Sequence, residues 1–172
     1  MRGDREAFGI LGARALPRMM GAAALILRDA DAADDAAQEA LVRAWRDLPG
    51  LREPDRFDGW LHRILVRACG DQFRDRARQR RTAGSVPERS VSDAAQRIVD
   101  RDEMTRALDL LSVEHRTAIV LRYYLGLSHT EIAEAIGKPI GTVKSRLNRG
   151  MAQLETALTQ DPRRRVAGEE SA

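Results

Sequence analysis

Apolar residues in this chain recur every three or four positions, the spacing of one helix face, and runs that alternate every second residue are missing. Phe8, Leu11, Ala15, Met19 and Ile26 mark a first helix from about Asp4 to Arg28. Within it Pro17 removes a backbone donor, which predicts a kink or a break into two short helices. Asp29 to Asp35 supplies turn and capping residues before a second helix with the apolar stripe Ala37, Leu41, Ala44, Trp45 and Leu48, closed by Pro49 and Gly50. A third helix begins between Glu53 and Asp58. It turns Phe57, Trp60, Leu61, Ile64, Leu65, Ala68 and Phe73 inward until arginines take over, so three helices are expected to share one small core.

Thr82 to Ala94 has the composition of a linker, with Gly84, Pro87, three serines and few apolar residues. Beyond it, Ile98, Met104, Leu108 and Leu111 predict a fourth helix. Ser112 is placed to cap a fifth, running through Ala118, Ile119, Leu121 and Tyr124 to a loop at Gly126. The stretch Ser128 to Leu147, SHTEIAEAIGKPIGTVKSRL, reads as a helix-turn-helix. Ser128 and Glu131 form a capping box ahead of Ile132 and Ala133, Gly137 ends that helix cheaply, and Pro139 cannot continue it. Val143 and Leu147 then repeat on one face, with Ala133 small enough for a close crossing. Thr142, Lys144, Ser145, Arg146, Asn148 and Arg149 on the other face combine groups for phosphates with groups for base edges. The last helix is expected to run through Met151 and Leu154 to Leu158, before a loose tail from Asp161.

The expected fold is therefore all-α, two small helical domains joined by a flexible linker. The expected boundaries are 1–82, 83–94 (linker), 95–160 and 161–172 (tail). The formal net charge of +3 decides little, but its distribution is uneven. Asp29 to Glu39 carries five acids and no base, whereas Arg74 to Arg81 carries five arginines and one acid. A helix ending in Arg74, Arg76, Arg78, Arg80 and Arg81 can track phosphates, and Phe57 or Trp60, if exposed, can stack on an unpaired base. A tryptophan in helical register with Leu61 and Leu65 is more often core.

Cys69 is the single cysteine, which excludes an intramolecular disulfide and fits a buried, inert thiol. Met1 leads into charged residues without the apolar core of a signal peptide, and no run is read as long enough to span a membrane, so the expected compartment is the cytoplasm. His62, His115 and His129 are isolated, and no nucleophile with a base, phosphate loop or metal cluster is evident. An enzyme is not expected, nor a cofactor, metal or small-molecule substrate.

IGTVKSRLNR, preceded by GLSHTEIAEAIGKP, resembles region 4 of the extracytoplasmic-function group of bacterial sigma factors, in which this helix binds the minus-thirty-five promoter element. Carried onto this chain, the resemblance implies contacts from Thr130, Thr142, Lys144, Ser145, Arg146 and Arg149. DADAADDAAQEALVRAWRDL resembles the region 2 segment that holds the polymerase clamp helices, which implies a core-polymerase surface of Asp34, Asp35, Gln38, Glu39, Leu41, Val42 and Trp45. FDGWLHRILVRACGDQFRDRARQRR is similar to the segment that opens and reads the minus-ten element, which implies Arg56, Trp60, Arg63, Arg67, Arg74 and Arg78. The implied partners are core RNA polymerase, through its beta-prime clamp helices and beta flap, and promoter DNA. Many relatives also have an anti-sigma factor, and the resemblance admits one here. Where the family usually has two large aliphatics this chain has Ala36 and Ala37, and where it usually has Asn this chain has Arg67. These departures imply a weaker polymerase contact and an unusual minus-ten preference. A helix-turn-helix regulator of the response-regulator output type shares the Thr-Val-Lys core, but the Ser145-Arg146-Leu147 continuation and the N-terminal half favour a sigma factor.

Overall fold

The computed structural model describes residues 2–51, 53–83 and 103–160, without the side chains of 2–4 and 80–83. Every regular element among them is a helix. Ala83, expected to open the linker, is still helical; the rest of the expected linker and the tail, together with Ile98, lie outside the described residues, as do the side chains of Arg80 and Arg81.

Helix α1 (Arg2–Leu27) continues through Pro17 as one helix, so of the two expected outcomes, a kink or a break into two short helices, the break does not occur. Pro17 and Ala13, whose carbonyl loses its partner, are both exposed, so water can bond the orphaned oxygen. Leu11 also departs from expectation, being 42% exposed, while Met19, Ala22, Ala23, Ile26 and Leu27 are buried. The stretch Arg5–Leu27 is, by length and composition, apolar enough to cross a membrane, which corrects the reading that no run reaches that length. Its buried face belongs to the core shared with α2 and α3.

Arg28 ends α1 with φ of 60°, a left-handed conformation that glycine usually supplies. Helix α2 (Ala30–Asp47) then starts earlier than expected, capped by the Asp29 carboxylate, which accepts the Ala32 N–H at 2.8 Å. Its inner face is almost wholly alanine: Ala32, Ala33, Ala36, Ala37, Ala40 and Ala44 are all buried. Side chains this short let α1 and α2 approach closely. Short 3-10 turns at Leu48–Gly50 and Pro54–Arg56 lead into α3 (Phe57–Ala83). Phe57, Leu61, Ile64, Leu65, Ala68 and Cys69 of α3 complete the first core. The Arg76 side chain pairs with Asp29 at 2.7 Å and ties α3 to the α1–α2 junction. Burial works to raise the Asp29 pKa, but the Ala32 N–H and Arg76 outweigh it and hold the carboxyl below its usual value.

The second body comprises α4 (Glu103–Asp109), α5 (Val113–Ile119), α6 (His129–Ile136) and α7 (Ile140–Thr159). Helix α4 stops before Leu111, which is buried beyond its end. Ser112 caps α5 as expected, and a π-helical turn at Val120–Tyr124 extends it. Gly150 of α7 gives the close approach to α5, since a Cβ there would stand 3.2 Å from Ile119 Cγ1 and 3.3 Å from His115 Cβ. The bodies are docked, with α6 against α3 and with α5 and the π turn against α1.

Candidate nucleic-acid interface

The helix-turn-helix is built by the local signals its sequence carries. Ser128 Oγ accepts the Glu131 N–H at 3.2 Å, and Glu131 Oε2 accepts the Ser128 N–H at 2.8 Å. The bonds with Ser128 keep the Glu131 carboxyl below its ordinary pKa. Gly137 ends α6 with φ of 63°, and Pro139 stands at the cap of α7. Val143, Leu147, Gly150 and Leu154 then turn to the core. That burial fixes the rotation of α7. Lys144, Ser145, Asn148 and Arg149 are exposed, Thr142 and Arg146 are half-buried, and Thr130 is exposed on α6. Ser145 Oγ donates to the Thr142 carbonyl at 3.0 Å, so that hydroxyl keeps only its acceptor capacity for an outside partner.

The residues expected to handle the minus-ten element lie along one side of α3, apart from Arg56, which ends the 3-10 turn just before it. At helical periodicity Arg56, Trp60, Arg63, Arg67, Arg74 and Arg78 fall within an arc of about 60°. Trp60 is half-buried with its ring centroid 5.9 Å from that of Phe57, and Phe57 is buried, so only part of Trp60 can meet a base. Arg56 pairs with Glu53 at 2.7 Å, and Arg74 pairs with Asp71. Arg63 pairs with Glu134 of α6 at 2.9 Å, a contact between the two bodies. Arg67, Arg74 and Arg146 line one cleft of about 290 Å³ together with Glu114. The two expected DNA-reading sets thus meet across the domain junction.

The expected polymerase surface is the outer face of α2. Asp35, Gln38, Glu39, Val42 and Trp45 are exposed there, with Val42 at 60%, and Asp34 and Leu41 are half-buried beside them. Gln38 donates to the Asp34 carboxylate at 2.9 Å. Arg43 bridges Glu39 and Asp71, each at 2.7 Å, which fixes this face against α3. The bond from Arg43 is the main reason the Asp71 carboxyl lies below its usual pKa. Trp45 rests on Phe8, with ring centroids 5.2 Å apart, so an apolar surface of α1 and α2 borders the acids. Ala36 and Ala37 are fully buried. Their departure from the family pattern therefore acts on the packing of α2 in the core; neither is exposed to a partner.

Cys69 is buried, and burial pushes its thiol up to about 12, in keeping with an inert role. No group of three or more His, Cys, Asp or Glu able to hold a metal occurs among the described residues. Sequence reasoning missed Arg28 and Arg116. An arginine at a helix end and another inside a short helix carry no local signal of the long-range bonds they make.

The family model for sigma-70 region 2 matches residues 13–79, and that for sigma-70 region 4 matches residues 101–154. The ECF RNA polymerase sigma factor SigM of Mycobacterium tuberculosis is 37% identical over 156 residues, covering 91% of this chain and 79% of the relative. The chain belongs to the extracytoplasmic-function group of the sigma-70 family. The RNA polymerase sigma-H factor of Pseudomonas aeruginosa is 30% identical over 171 residues, covering 91% of this chain and 89% of its own length. Among solved structures, the sigma factor RpoE of Bartonella quintana in complex with the anti-sigma factor NepR superposes with a TM-score of 0.75. That match has 27% identity and covers 91% of this chain and 99% of the other. CnrH in complex with the cytosolic domain of CnrY superposes with a TM-score of 0.66 at 28% identity, covering 91% and 90%. In this family member the region 2 match takes in α1 from residue 13, all of α2 and α3 to residue 79, and the region 4 match takes in α4 to α6 and α7 to residue 154.

Proposed function

We propose that this chain is a promoter-recognition subunit acting in the cytoplasm, which joins core RNA polymerase and directs initiation while the polymerase supplies all the chemistry. Its partners are the core enzyme, promoter DNA and, as the relatives' complexes suggest, an anti-sigma factor. The observation that carries the reading is the pairing of a capped helix-turn-helix with an arginine-striped α3 in one chain. A response-regulator output module offers no counterpart to the region 2 match.

The roles divide by surface. Thr130, Thr142, Lys144, Ser145, Arg146 and Arg149 read the minus-thirty-five duplex, because a helix laid in the major groove brings such side chains to base edges and phosphates. Arg56, Trp60, Arg63, Arg67, Arg74 and Arg78 hold the opened minus-ten strand by charge and partial stacking. Extruding a base costs a few kcal/mol, which these contacts offset. Asp34, Asp35, Gln38, Glu39, Leu41, Val42 and Trp45 dock on the polymerase clamp.

The test separates the surfaces. Lys144→Ala with Arg146→Ala should weaken binding to promoter duplex at least tenfold and leave core-polymerase binding intact. Asp35→Lys with Glu39→Lys should abolish co-purification with core polymerase while sparing duplex binding. Equal loss of both activities in either variant contradicts the assignment.

A further inference from the structure

Gly70 sits near the middle of α3, where glycine is unfavourable because its backbone has the most freedom to lose. Close packing against another element does not explain it. The nearest such contact of a Cβ at Gly70 would be the flexible Arg74 Nη1, at 3.9 Å, so open space lies over the backbone. That space belongs to the cleft of about 290 Å³ already described, near the lower end of the volumes of small-molecule sites. Residues of five helices, α1, α3, α5, α6 and α7, line it, an enclosure that suits a compact ligand better than a continuous strand.

The lining joins cationic and apolar groups. Arg67 and Arg74 flank Gly70 on one face of α3, and Arg146 enters from α7. The side chains of Arg67 and Arg146 have no ion pair or hydrogen bond among the described residues, while Arg74 shares Asp71 with Arg43. Among those residues Glu114 of α5 is the one acid in the lining, so three arginines stand against one glutamate. The excess matches the charge of roughly −1.5 to −2 that a phosphate monoester carries at neutral pH. Most of the remaining surface is apolar, from Ile26, Val66, Phe73, Ala135 and Ile136.

The walls are set before any ligand arrives. Arg116 of α5 is buried, and its Nε and Nη2 donate to the Ile26 carbonyl near the end of α1, at 3.1 and 2.8 Å. These bonds hold Glu114 and Thr117, neighbours of Arg116 on the same turn, against the first body. On α6, Glu134 pairs with Arg63 at 2.9 Å and keeps Ala135 and Ile136 against α3. A site formed in advance loses less ordering entropy on binding.

We propose that this cleft binds a nucleoside 5′-monophosphate, its phosphate held by Arg67, Arg74 and Arg146 and its base laid against Phe73. Guanidinium groups bond phosphate oxygens in pairs, and contact with an aromatic ring tolerates any base because every base has a flat face. Glu114 and Thr117 offer acceptors for ribose hydroxyls or base amino groups. Binding follows from the cleft alone. Competition with promoter DNA rests in addition on the proposed promoter contacts of these arginines, which a seated nucleotide would occupy.

Isothermal titration calorimetry of the full-length protein with guanosine 5′-monophosphate, without DNA or polymerase, tests the site. A dissociation constant on the order of 10–100 µM is expected, the range of a small ligand of ordinary efficiency. Guanosine and inorganic phosphate should each bind at least tenfold more weakly. Arg67→Asn and Arg146→Ala should each weaken binding about tenfold, as loss of a charge-assisted hydrogen bond does. Gly70→Leu is the sharper variant, because it keeps every charge, suits a helix better than glycine and fills the cleft. It should abolish binding while the melting temperature holds or rises. Arg14→Ala, exposed on α1 and outside the cleft lining, controls for net charge and should leave the affinity unchanged.

No binding by the unmodified protein, phosphate bound as tightly as the nucleotide, full affinity in Gly70→Leu, or an equal loss in Arg14→Ala would overturn the proposal. A single-stranded minus-ten oligonucleotide supplies the last arm. Its displacement by the nucleotide supports competition, and simultaneous binding overturns it. A nucleotide that binds where the oligonucleotide does not would count against the proposed minus-ten contacts and leave the nucleotide site standing.

Discussion

The two bodies of this molecule achieve helix packing by opposite means. Region 2 packs its helices largely through alanines, with Ala22, Ala23, Ala36, Ala37, Ala40 and Ala44 all fully buried. Region 4 fills its core with Leu121, Ile132, Val143, Leu147 and Leu154, and fixes its turn with a capping box and a left-handed glycine. A seam of alanines buries little apolar area per residue but leaves no slack, whereas branched side chains bury more and leave a hole when shortened. The first body should therefore be sensitive to enlargement and the second to truncation.

The largest effect should come from truncating the second core. Ile132→Ala, at a fully buried position, should destabilise the protein by about 2–5 kcal/mol in urea unfolding; a loss of under 1 kcal/mol would mean that this core collapses around the gap. Next, Ala37→Leu should cost about 1–3 kcal/mol by forcing α2 away from the helices packed on it. A neutral result would show room in the seam and end the contrast. Ser128→Ala removes one side of the capping box and should cost about 1 kcal/mol, read as faster amide exchange in α6 with little change in α2.

The smallest effect separates the bodies by pH. His62 is buried on α3, its Nδ1 has no hydrogen-bond partner, and Asp58, Arg18 and Glu131 are the charges around it. Burial pushes its pKa below the usual 6.5. The unfolded chain then binds the proton more readily, so the stability from this group is present above 6.5 and is lost as pH falls through the folded value. The carboxylates Asp29, Asp71 and Glu131, also held low, lose their contribution only at more acid pH, below their usual 3.8 to 4.5. Melting temperature measured from pH 7.5 down to 5.5 should fall modestly, and His62→Gln should flatten that slope; an unchanged slope would remove His62 as its cause.

The same contrast explains what could be read from the chain beforehand. Region 4 was legible because its signals are local: Ser128 and Glu131 three apart, Gly137 before Pro139, and Val143 and Leu147 on one face. Region 2 was legible in outline from its apolar spacing, although Trp45, expected on the inward stripe of α2, is exposed. The continuity of α1 through Pro17 was not, because it depends on which side of the helix the lost hydrogen bond faces. Ala36 and Ala37 looked like altered contact residues because the resemblance marked them as departures, although the apolar stripe already turned Ala37 inward. The π turn at Val120–Tyr124 and the partners of Arg28 and Arg116 arise only once the two bodies meet. As for the candidate site, the resemblance named the residues on both helices proposed to read DNA, but it gave no hint that Arg67, Arg74 and Arg146 would line one cleft.

The central claim is that this chain lends promoter selectivity to a polymerase through two separate DNA-reading surfaces. Run-off transcription with purified bacterial core polymerase and a promoter library tests it most directly. The account predicts transcripts from templates that share both a minus-thirty-five and a minus-ten element, lost when either element is scrambled. Core polymerase that initiates no better with this protein than without it, on every template, would contradict the account.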